Sequence, residues 1–350
     1  MMKRTDNNMD AVRYVLAFSV VVAHFNYLCG FDIPWPVSSS TGVGGFFALS
    51  GFLIYRNFDR RPDIKRYVTS RALRILPPYV LIVILCAFAL APFSSLPVSE
   101  FFLHPGWWKY LMSNLIFLNF LAPDLPGLFE GPGFVTSAVN GSLWTMKVEW
   151  CLYLSVPLVA ALIRALHKKV PSSSWIFIAV IVLSIGYSLL FNHIYYTTGK
   201  EIFAILGRQV FGQLSYFYMG VLMYYHLDLL RQWKWVFLAA ALTGLLIMRL
   251  LPESILIIKP VAESTLVIWV SMIGRWGHWF SRHDNVSYDM YLFHFPIIQL
   301  AVLLGAPALG KWPTFLICLA AVILLSFLSW NLIGKPFMKV KKKWLENKKL

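Results

Sequence analysis

An arginine and a histidine bracket the first apolar run of the sequence, "RYVLAFSVVVAH". Arg13 and His24 are eleven residues apart, which on an α-helix brings both side chains within about 20° of the same face and separates them by about 16 Å along the axis. An imidazole that deep in a bilayer is costly unless it faces a helix interface or a hydrated cavity, so His24 is a candidate for proton transfer or nucleophilic chemistry. The structural alternatives are a snorkelling Arg13 and a His24 that bonds between helices.

A second pair of basic residues enters another apolar run in "SRALRILPPY". Arg71 and Arg74 are three residues apart, so on a helix they project to the same side. Two guanidinium groups on one face suit bidentate binding of phosphate, with orientation of the chain in the membrane as the alternative role. Pro77 and Pro78, just beyond the pair, predict a kink or break in the helix.

Two more ionisable residues fall within apolar runs. Glu149 ends "SLWTMKVE", about 12 Å into a helix that enters from the outer side, where a carboxyl group must be protonated, paired or hydrated. Lys147, Arg13 and His24 are its candidate partners. His294, in "SYDMYLFHFP", fits a functional role and a helix-packing role equally well.

Composition identifies the elements that must position these residues. The chain has 350 residues, of which 58% are apolar and only 13% charged, so it cannot form a water-soluble surface. Its apolar runs are continuous and about 17 to 25 residues long, as membrane-spanning helices require. The net charge of +15 is collected in short loops, which indicates orientation in the membrane and argues against a nucleic-acid surface.

We predict an all-α, polytopic membrane bundle of about ten transmembrane helices with both termini in the cytoplasm. Lys3 and Arg4, the basic segment 56–74 and the lysine-rich tail 336–350 are the charges that place these regions inside. The predicted spans are 11–30, 42–57, 75–92, 141–165, 174–191, 208–226, 233–250, 254–273, 287–305 and 313–333.

The segment 93–140 is the least regular part of the sequence. Its apolar stretch 107–120 is marginal in length and is interrupted by Asn114 and Asn119. A crossing there would place an acidic loop inside and the basic "RALHKK" of 164–169 outside, against the charge rule. We therefore expect 93–140 to be one extracytoplasmic segment with an interfacial or re-entrant helix, within a single domain that spans 1–350.

The cysteines do not form a metal-binding or redox motif. Cys29, Cys86, Cys151 and Cys318 are isolated in or near apolar runs, without paired spacing. They are predicted to be buried thiols, and no metal site is expected.

Taken together, five segments resemble the acyltransferase-3 family of multispanning bacterial membrane O-acyltransferases. They follow the family's order along nearly the whole chain. These segments are Arg13 with His24, "GVGGFFALSGFLI" (42–54), Arg71 and Arg74 with "ILPPY", "SLWTMKVE" and "SYDMYLFHFP". The sequence departs from the family at Gly334, where an acidic residue is common.

The resemblance implies an O-acyltransferase, most often an O-acetyltransferase, in the bacterial inner membrane. Its donor would be cytoplasmic acetyl-CoA or another acyl-CoA, with no permanently bound cofactor. Its acceptor would be a hydroxyl of a cell-surface glycan or of a lipid-linked precursor. The oligomeric state is left open. A transporter or flippase for a glycan or acyl intermediate is the alternative, as is a catalytically silent scaffold.

The residues themselves support a mechanism that is compatible with this resemblance. Arg13, Arg71 and Arg74 would bind the donor's phosphates, and His24 would act as general base or carry the acyl group itself. Glu149 would orient the His24 imidazole and stabilise its cation.

The acceptor side is expected to involve three other residues of the same motifs. Ser142 and Trp144 precede Glu149 in the chain, and His294 lies in the segment that ends at Pro296. All three are predicted to contact the acceptor substrate.

Overall fold

The computed structural model describes residues 7–166 and 172–347. Over these residues every regular element is helical, and no strand is present. The α-helices are α1 (Met9–Cys29), α2 (Ser39–Arg60), α3 (Ile64–Ala89), α4 (Val98–Leu103), α5 (Pro105–Leu115), α6 (Trp144–Leu166), α7 (Ser173–Thr198), α8 (Glu201–Gly207), α9 (Val210–Tyr225), α10 (Leu227–Gln232), α11 (Lys234–Leu250), α12 (Ile255–Met272), α13 (His278–Arg282), α14 (Ser287–Leu303), α15 (Lys311–Ser329) and α16 (Lys335–Asn347). A π-helical turn, Trp330–Gly334, joins α15 to α16.

Six helical segments of the described chain are long and apolar enough to cross a membrane. They are Met9–Cys29, Ile64–Ala89, Trp144–Leu166, Ser173–Thr198, Pro252–Met272 and Lys311–Glu346. The predicted all-α membrane protein is therefore confirmed, while the count of about ten crossings stays a prediction. The remaining predicted spans fall on α2, α9, α11 and α14, of which the last three have only 16 or 17 residues.

The orientation of the two termini also stays a prediction. Lys3, Arg4 and residues 167–169 of the basic loop lie outside the described residues, as do the last three residues of the tail.

Two compact units can be distinguished, and each draws on three separate parts of the chain. The first comprises Met1–Leu16, Ser40–Tyr67 and Val148–Asn285. In it, a Cβ atom on Gly51 would lie 1.9 Å from the carbonyl oxygen of Phe217, and one on Gly220 would lie 1.9 Å from that of Ala48. The glycine-rich segment of α2 therefore permits direct backbone contact with α9, as small residues do between membrane helices.

The second unit comprises Ala17–Ser39, Val68–Lys147 and Val286–Leu350. Its apolar core joins α1, α14 and α15. The buried side chains of this core are Val22, Phe25, Leu28, Ile33, Phe295, Ile298, Phe315 and Cys318. Because aromatic side chains bury large areas, this core fixes α14 against the C-terminal half of α1.

Helix α3 continues through Pro77 and Pro78, so the predicted break does not occur, while a kink at these prolines stays a prediction. Each proline removes one backbone donor, so the carbonyl groups of Leu73 and Arg74 lose their usual partners four residues on. Membrane helices tolerate such positions where neighbouring groups compensate. The arginine pair consequently lies within one long helix.

The segment 93–140 contains only short helices. Helix α5 has 11 residues, about 16 Å at the usual rise, so it is too short to cross a bilayer on its own. Asn114 ends α5 by donating to the carbonyl oxygens of Tyr110 at 2.8 Å and Ala122 at 2.9 Å. Trp107 is buried and donates to the carbonyl of Ala87 at 2.7 Å. The polar residue Asn114, which interrupts the apolar stretch 107–120 in the sequence, thus ends α5 and stabilises the turn that follows it.

All four cysteines are free thiols, with Cys86 and Cys318 buried and Cys29 and Cys151 half-buried. Within the described residues, no group of three or more His, Cys, Asp or Glu side chains is arranged to bind a metal ion.

Candidate active site

Two histidines of the second unit contact each other directly. His24 Nδ1 lies 2.7 Å from His294 Nε2, and the two rings are nearly parallel, at 13° with centroids 5.0 Å apart. His294 is fully buried on α14, and His24 is half-buried on α1. Phe295 packs edge-on against the His24 ring at 5.1 Å. The structure therefore brings together two of the predicted site residues, which we call the histidine pair.

The hydrogen bonds of the histidine pair define its tautomers. His294 Nδ1 lies 3.2 Å from the carbonyl oxygen of Met290, which can only accept, so this nitrogen carries the proton. In a neutral ring the Nε2 of His294 then accepts, and His24 Nδ1–H donates to it. The proton-free nitrogen of His24 is consequently Nε2, the atom that can act as a base.

The helix that carries His294 is braced from the start of α6. Asn140 donates to the carbonyl of Leu292 at 2.8 Å, and Thr145 and Tyr291 share a hydrogen bond of 2.9 Å between their hydroxyl groups. Ser142 is fully buried and donates to Asn140 Oδ1 at 2.6 Å. These contacts give Ser142 a structural place beside α14, while its predicted contact with the acceptor stays a prediction.

Arg74 belongs to a second polar group of the same unit. Its guanidinium carbon lies 5.0 Å from the ring centroid of Trp330 and 5.9 Å from that of Tyr288. Asp289 is buried, interacts electrostatically with Arg74 and accepts a hydrogen bond of 2.6 Å from Ser329. We call Arg71 and Arg74, with Tyr288, Asp289 and Trp330 around Arg74, the arginine cluster.

Arg71 has a buried hydrogen-bond donor without a partner in the described part of the chain. Its Nη2 donates to Ser70 at 3.3 Å, whereas its Nε is buried and has no hydrogen-bond partner in the described part of the chain. Buried donors without partners are costly, and an anionic ligand is one way to satisfy them.

Gly334, where the sequence departs from the family pattern, lies beneath the Trp330 ring. A Cβ atom there would approach Trp330 Cε3 to 2.6 Å. The missing side chain leaves room for the indole, and the indole in turn lies against Arg74. The absence of a side chain at position 334 thus accompanies an aromatic ring, that of Trp330, beside Arg74.

Arg13 belongs to the first unit and has an acidic partner. Its Nη1 lies 3.7 Å from Asp10 Oδ1, and Asn285 donates to the same oxygen at 2.9 Å. At the start of α1, the side chain of Asn8 donates a hydrogen bond of 3.0 Å to the carbonyl oxygen of Ile273. Because Asp10 offsets its charge, Arg13 is less available to an anion than Arg71 is.

Glu149 also belongs to the first unit, where it accepts a hydrogen bond from Tyr153 one turn later on α6. The hydroxyl of Tyr67 donates to the carbonyl of Tyr153 at 2.8 Å. Trp144 of the second unit is half-buried at the first position of α6. The action of Glu149 on His24 and the contact of Trp144 with the acceptor stay predictions.

The second unit also contains a cavity of about 590 Å³ between the C-terminal half of α1 and the loop that follows it. It is lined by Ser19 and Asn26 of α1 and by Asp32 and Trp35 of the following loop, with no Lys or Arg among its lining residues. Asn26 fixes this loop through two hydrogen bonds to the backbone of Ile33, of 3.0 and 2.9 Å. The lining positions of α1 lie on a different face from His24. The sequence analysis did not identify this cavity.

Long apolar helices that carry a histidine pair and a group of arginines define a polytopic membrane protein with an internal polar site. The chain belongs to the acyltransferase-3 family, since the family model, described as an acyltransferase domain, matches residues 6–331. The protein is therefore a membrane acyltransferase.

Two curated relatives match over almost their whole length. An O-acetyl transferase of Shigella phage Sf6 is 25% identical over 348 residues, covering 95% of this chain and 96% of the relative. Nodulation protein 10 of Rhizobium leguminosarum bv. viciae is 23% identical over 371 residues, covering 96% of this chain and 94% of the relative. No solved structure matches significantly.

Proposed function

We propose that the protein is an O-acetyltransferase that moves the acetyl group of cytoplasmic acetyl-CoA to a hydroxyl of a cell-surface glycan or its lipid-linked precursor. The observation that carries this proposal is the histidine pair, because it leaves Nε2 of His24 as a neutral base in an acyltransferase chain. The O-acetyl transferase of phage Sf6 supports the choice of acetyl and hydroxyl.

In the proposed reaction, His24 Nε2 takes the proton of the acceptor hydroxyl while that oxygen attacks the thioester carbonyl carbon. The new C–O bond forms, the C–S bond breaks, and the leaving thiolate of coenzyme A recovers the proton from His24. Throughout the reaction, Nε2 of His294 accepts a hydrogen bond from Nδ1–H of His24. This bond fixes the tautomer of His24 and stabilises its cationic ring. His294 is then a positioning residue rather than an acceptor contact.

The arginine cluster is the proposed site of the donor's phosphates. Guanidinium groups bind phosphate through paired hydrogen bonds, and Arg71 has an unsatisfied donor for such a ligand. Arg13 is a weaker candidate because of its contact with Asp10.

On the acceptor side, the cavity between α1 and its following loop is suited to a sugar unit next to the one that reacts. The exposed carboxylate of Asp32 can accept hydrogen bonds from hydroxyl groups, and the partly exposed indole of Trp35 can stack on a sugar ring. The absence of basic side chains from its lining makes it unsuited to the phosphates of the donor.

Mass spectrometry of the producing cell's surface glycans tests the proposal. Cells with the wild-type protein should carry a base-labile acetyl increment that is missing both without the gene and with His24→Ala. His193→Ala, an exposed histidine of α7, is the matched control and should keep the increment.

An unchanged glycan mass in all strains, with each variant inserted at the wild-type level, would reject glycan acetylation. A glycan whose sidedness changes while its mass does not would instead identify a flippase.

A further inference from the structure

The basic helix α16 carries one lysine that faces away from the others. Residues 338, 341, 344 and 345 lie on one side of this helix, at the spacing of a single face, and all four are half-buried. Lys341 is at the centre of that face, between Met338 and Trp344. Lys339, Lys342 and Lys343 are exposed, as charges at a membrane surface normally are.

Lys341 meets other positive charges inside the second unit. It interacts electrostatically with both Arg71 and Arg74, and each of these interactions is repulsive. Asp289 is the acid that interacts with Arg74, and it also accepts a hydrogen bond from Ser329. No ion pair of Arg71 or Lys341 occurs in the described part of the chain. Three cations therefore meet at the arginine cluster, where Asp289 interacts with Arg74.

Such a convergence is unfavourable in an empty site, because like charges repel strongly where water is partly excluded. The π-helical turn that precedes α16 holds this arrangement. Its Trp330 packs above Gly334 and lies against Arg74, so the start of α16 is fixed beside the arginine cluster. Inserted turns of this kind are frequent at functional sites.

We infer that Lys341 is a third cationic ligand for the phosphates of the donor, together with Arg71 and Arg74. This inference rests on the proposed function. A CoA thioester carries a diphosphate and a separate ribose phosphate, so it has enough negative charge for three cations. The buried, unpartnered Nε of Arg71 is independent evidence that an anion completes the site.

The test compares two donors with purified, full-length protein in liposomes. Acetyl-CoA carries all the phosphates, whereas S-acetylpantetheine carries the same thioester without the nucleotide. The acceptor is the surface glycan of the producing cell after mild alkaline removal of its acetyl groups. Lys341→Met removes the charge, Lys341→Arg keeps it, and Lys342→Met is the matched control on the exposed face.

We expect Lys341→Met to lower kcat/KM for acetyl-CoA about tenfold, mainly through KM, because one charge-assisted contact is lost. The ratio to wild type with S-acetylpantetheine should remain near one. Lys341→Arg should retain most of the activity, and Lys342→Met should equal the wild type.

Thermal unfolding separates ligand binding from a structural role. Without ligand, Lys341→Met should melt no lower than the wild type, because it relieves repulsion, but coenzyme A should stabilise it less. A lower melting temperature without ligand, with an unchanged shift on adding coenzyme A, would overturn the inference.

Equal losses of kcat/KM with both donors in Lys341→Met would also overturn the inference. A loss that depends on phosphatidylglycerol in the liposomes rather than on the donor's phosphates would overturn it in favour of a lipid headgroup as the ligand. Wild-type protein that turns over neither donor would instead reject the proposed function.

Discussion

The histidine pair and the arginine cluster belong to the same unit, yet they satisfy their polar groups in opposite ways. In the pair, both nitrogens of His294 have partners, and the helix that carries it is braced by Asn140. In the cluster, a donor of Arg71 is buried without a partner, and Lys341 adds a further repelling charge. One site is complete without ligand, and the other carries surplus positive charge.

This difference separates two functions that an acyltransferase must combine. A base that transfers a proton must keep its orientation through the reaction, so it benefits from partners within the protein. A site that binds an anion benefits from charges that the protein itself leaves unbalanced. Changes at the histidine pair should therefore act on kcat, and changes at the arginine cluster on the KM for acetyl-CoA.

Removing the proposed base, His24, should have the largest effect. His24→Ala is expected to lower kcat about 10²- to 10⁴-fold, the usual contribution of a general base, with little change in the KM for acetyl-CoA. Transfer of radiolabelled acetyl from acetyl-CoA to the glycan measures both constants, with His193→Ala as the control. A rise in KM that accounts for the loss would contradict the separation.

Removing the partner of the base should have the next largest effect. His294→Ala is expected to lower kcat about 10- to 100-fold, since a hydrogen bond to the cationic ring is worth about 1.5–3 kcal/mol. His294→Gln supplies a side-chain oxygen that can accept, so it should recover part of the loss.

The pH dependence of kcat distinguishes positioning from packing at His294. Loss of the Nδ1 partner destabilises the protonated His24 ring, so the acidic limb of the profile should move to lower pH in His294→Ala and less in His294→Gln. Equal losses in both variants with an unmoved profile would indicate that His294 only fills space.

The histidine pair and the arginine cluster also show how much of the candidate site could be predicted from the sequence. Sequence spacing alone pairs Arg13 with His24 and Arg71 with Arg74, because spacing within one helix is fixed by its period. The partner of His24 could not be identified in this way. His294 is 270 positions away, and its contact depends on how α1 packs against α14.

The fold was predictable to a similar depth. All ten predicted spans fall on helices, because long apolar runs leave few other structures in lipid. The uninterrupted helix at Pro77 was not predictable, because compensation for its missing donor comes from tertiary surroundings. Lys341 could not be singled out either, since the face that α16 buries is not evident from a run of lysines.

The arginine cluster should respond in KM. Arg71→Ala is expected to raise the KM for acetyl-CoA about tenfold, while Arg71→Lys, which keeps the charge but loses the paired geometry, should raise it less. Lys65→Ala, an exposed cation near the start of α3, is the control. A fall in kcat at an unchanged KM would place Arg71 with the histidine pair.

The smallest effect is expected from the change that disturbs the contact between Trp330 and Arg74. In Gly334→Ala the added methyl group would lie 2.6 Å from Trp330 Cε3, so the indole must move away from its place against the guanidinium. A cation–π contact is worth about 0.5–2 kcal/mol, so the KM for acetyl-CoA should rise roughly 2- to 10-fold at constant kcat.

Gly186→Ala is the matched control for that change, because it is also a glycine within a helix and no described atom lies within 4 Å of its added methyl group. It should leave both constants unchanged. If Gly334→Ala lowers kcat instead, movement of Trp330 must reach the base through α14, and the two sites are coupled. If it changes only KM, the histidine pair keeps its orientation while the arginine cluster is disturbed, as their different hydrogen bonding implies.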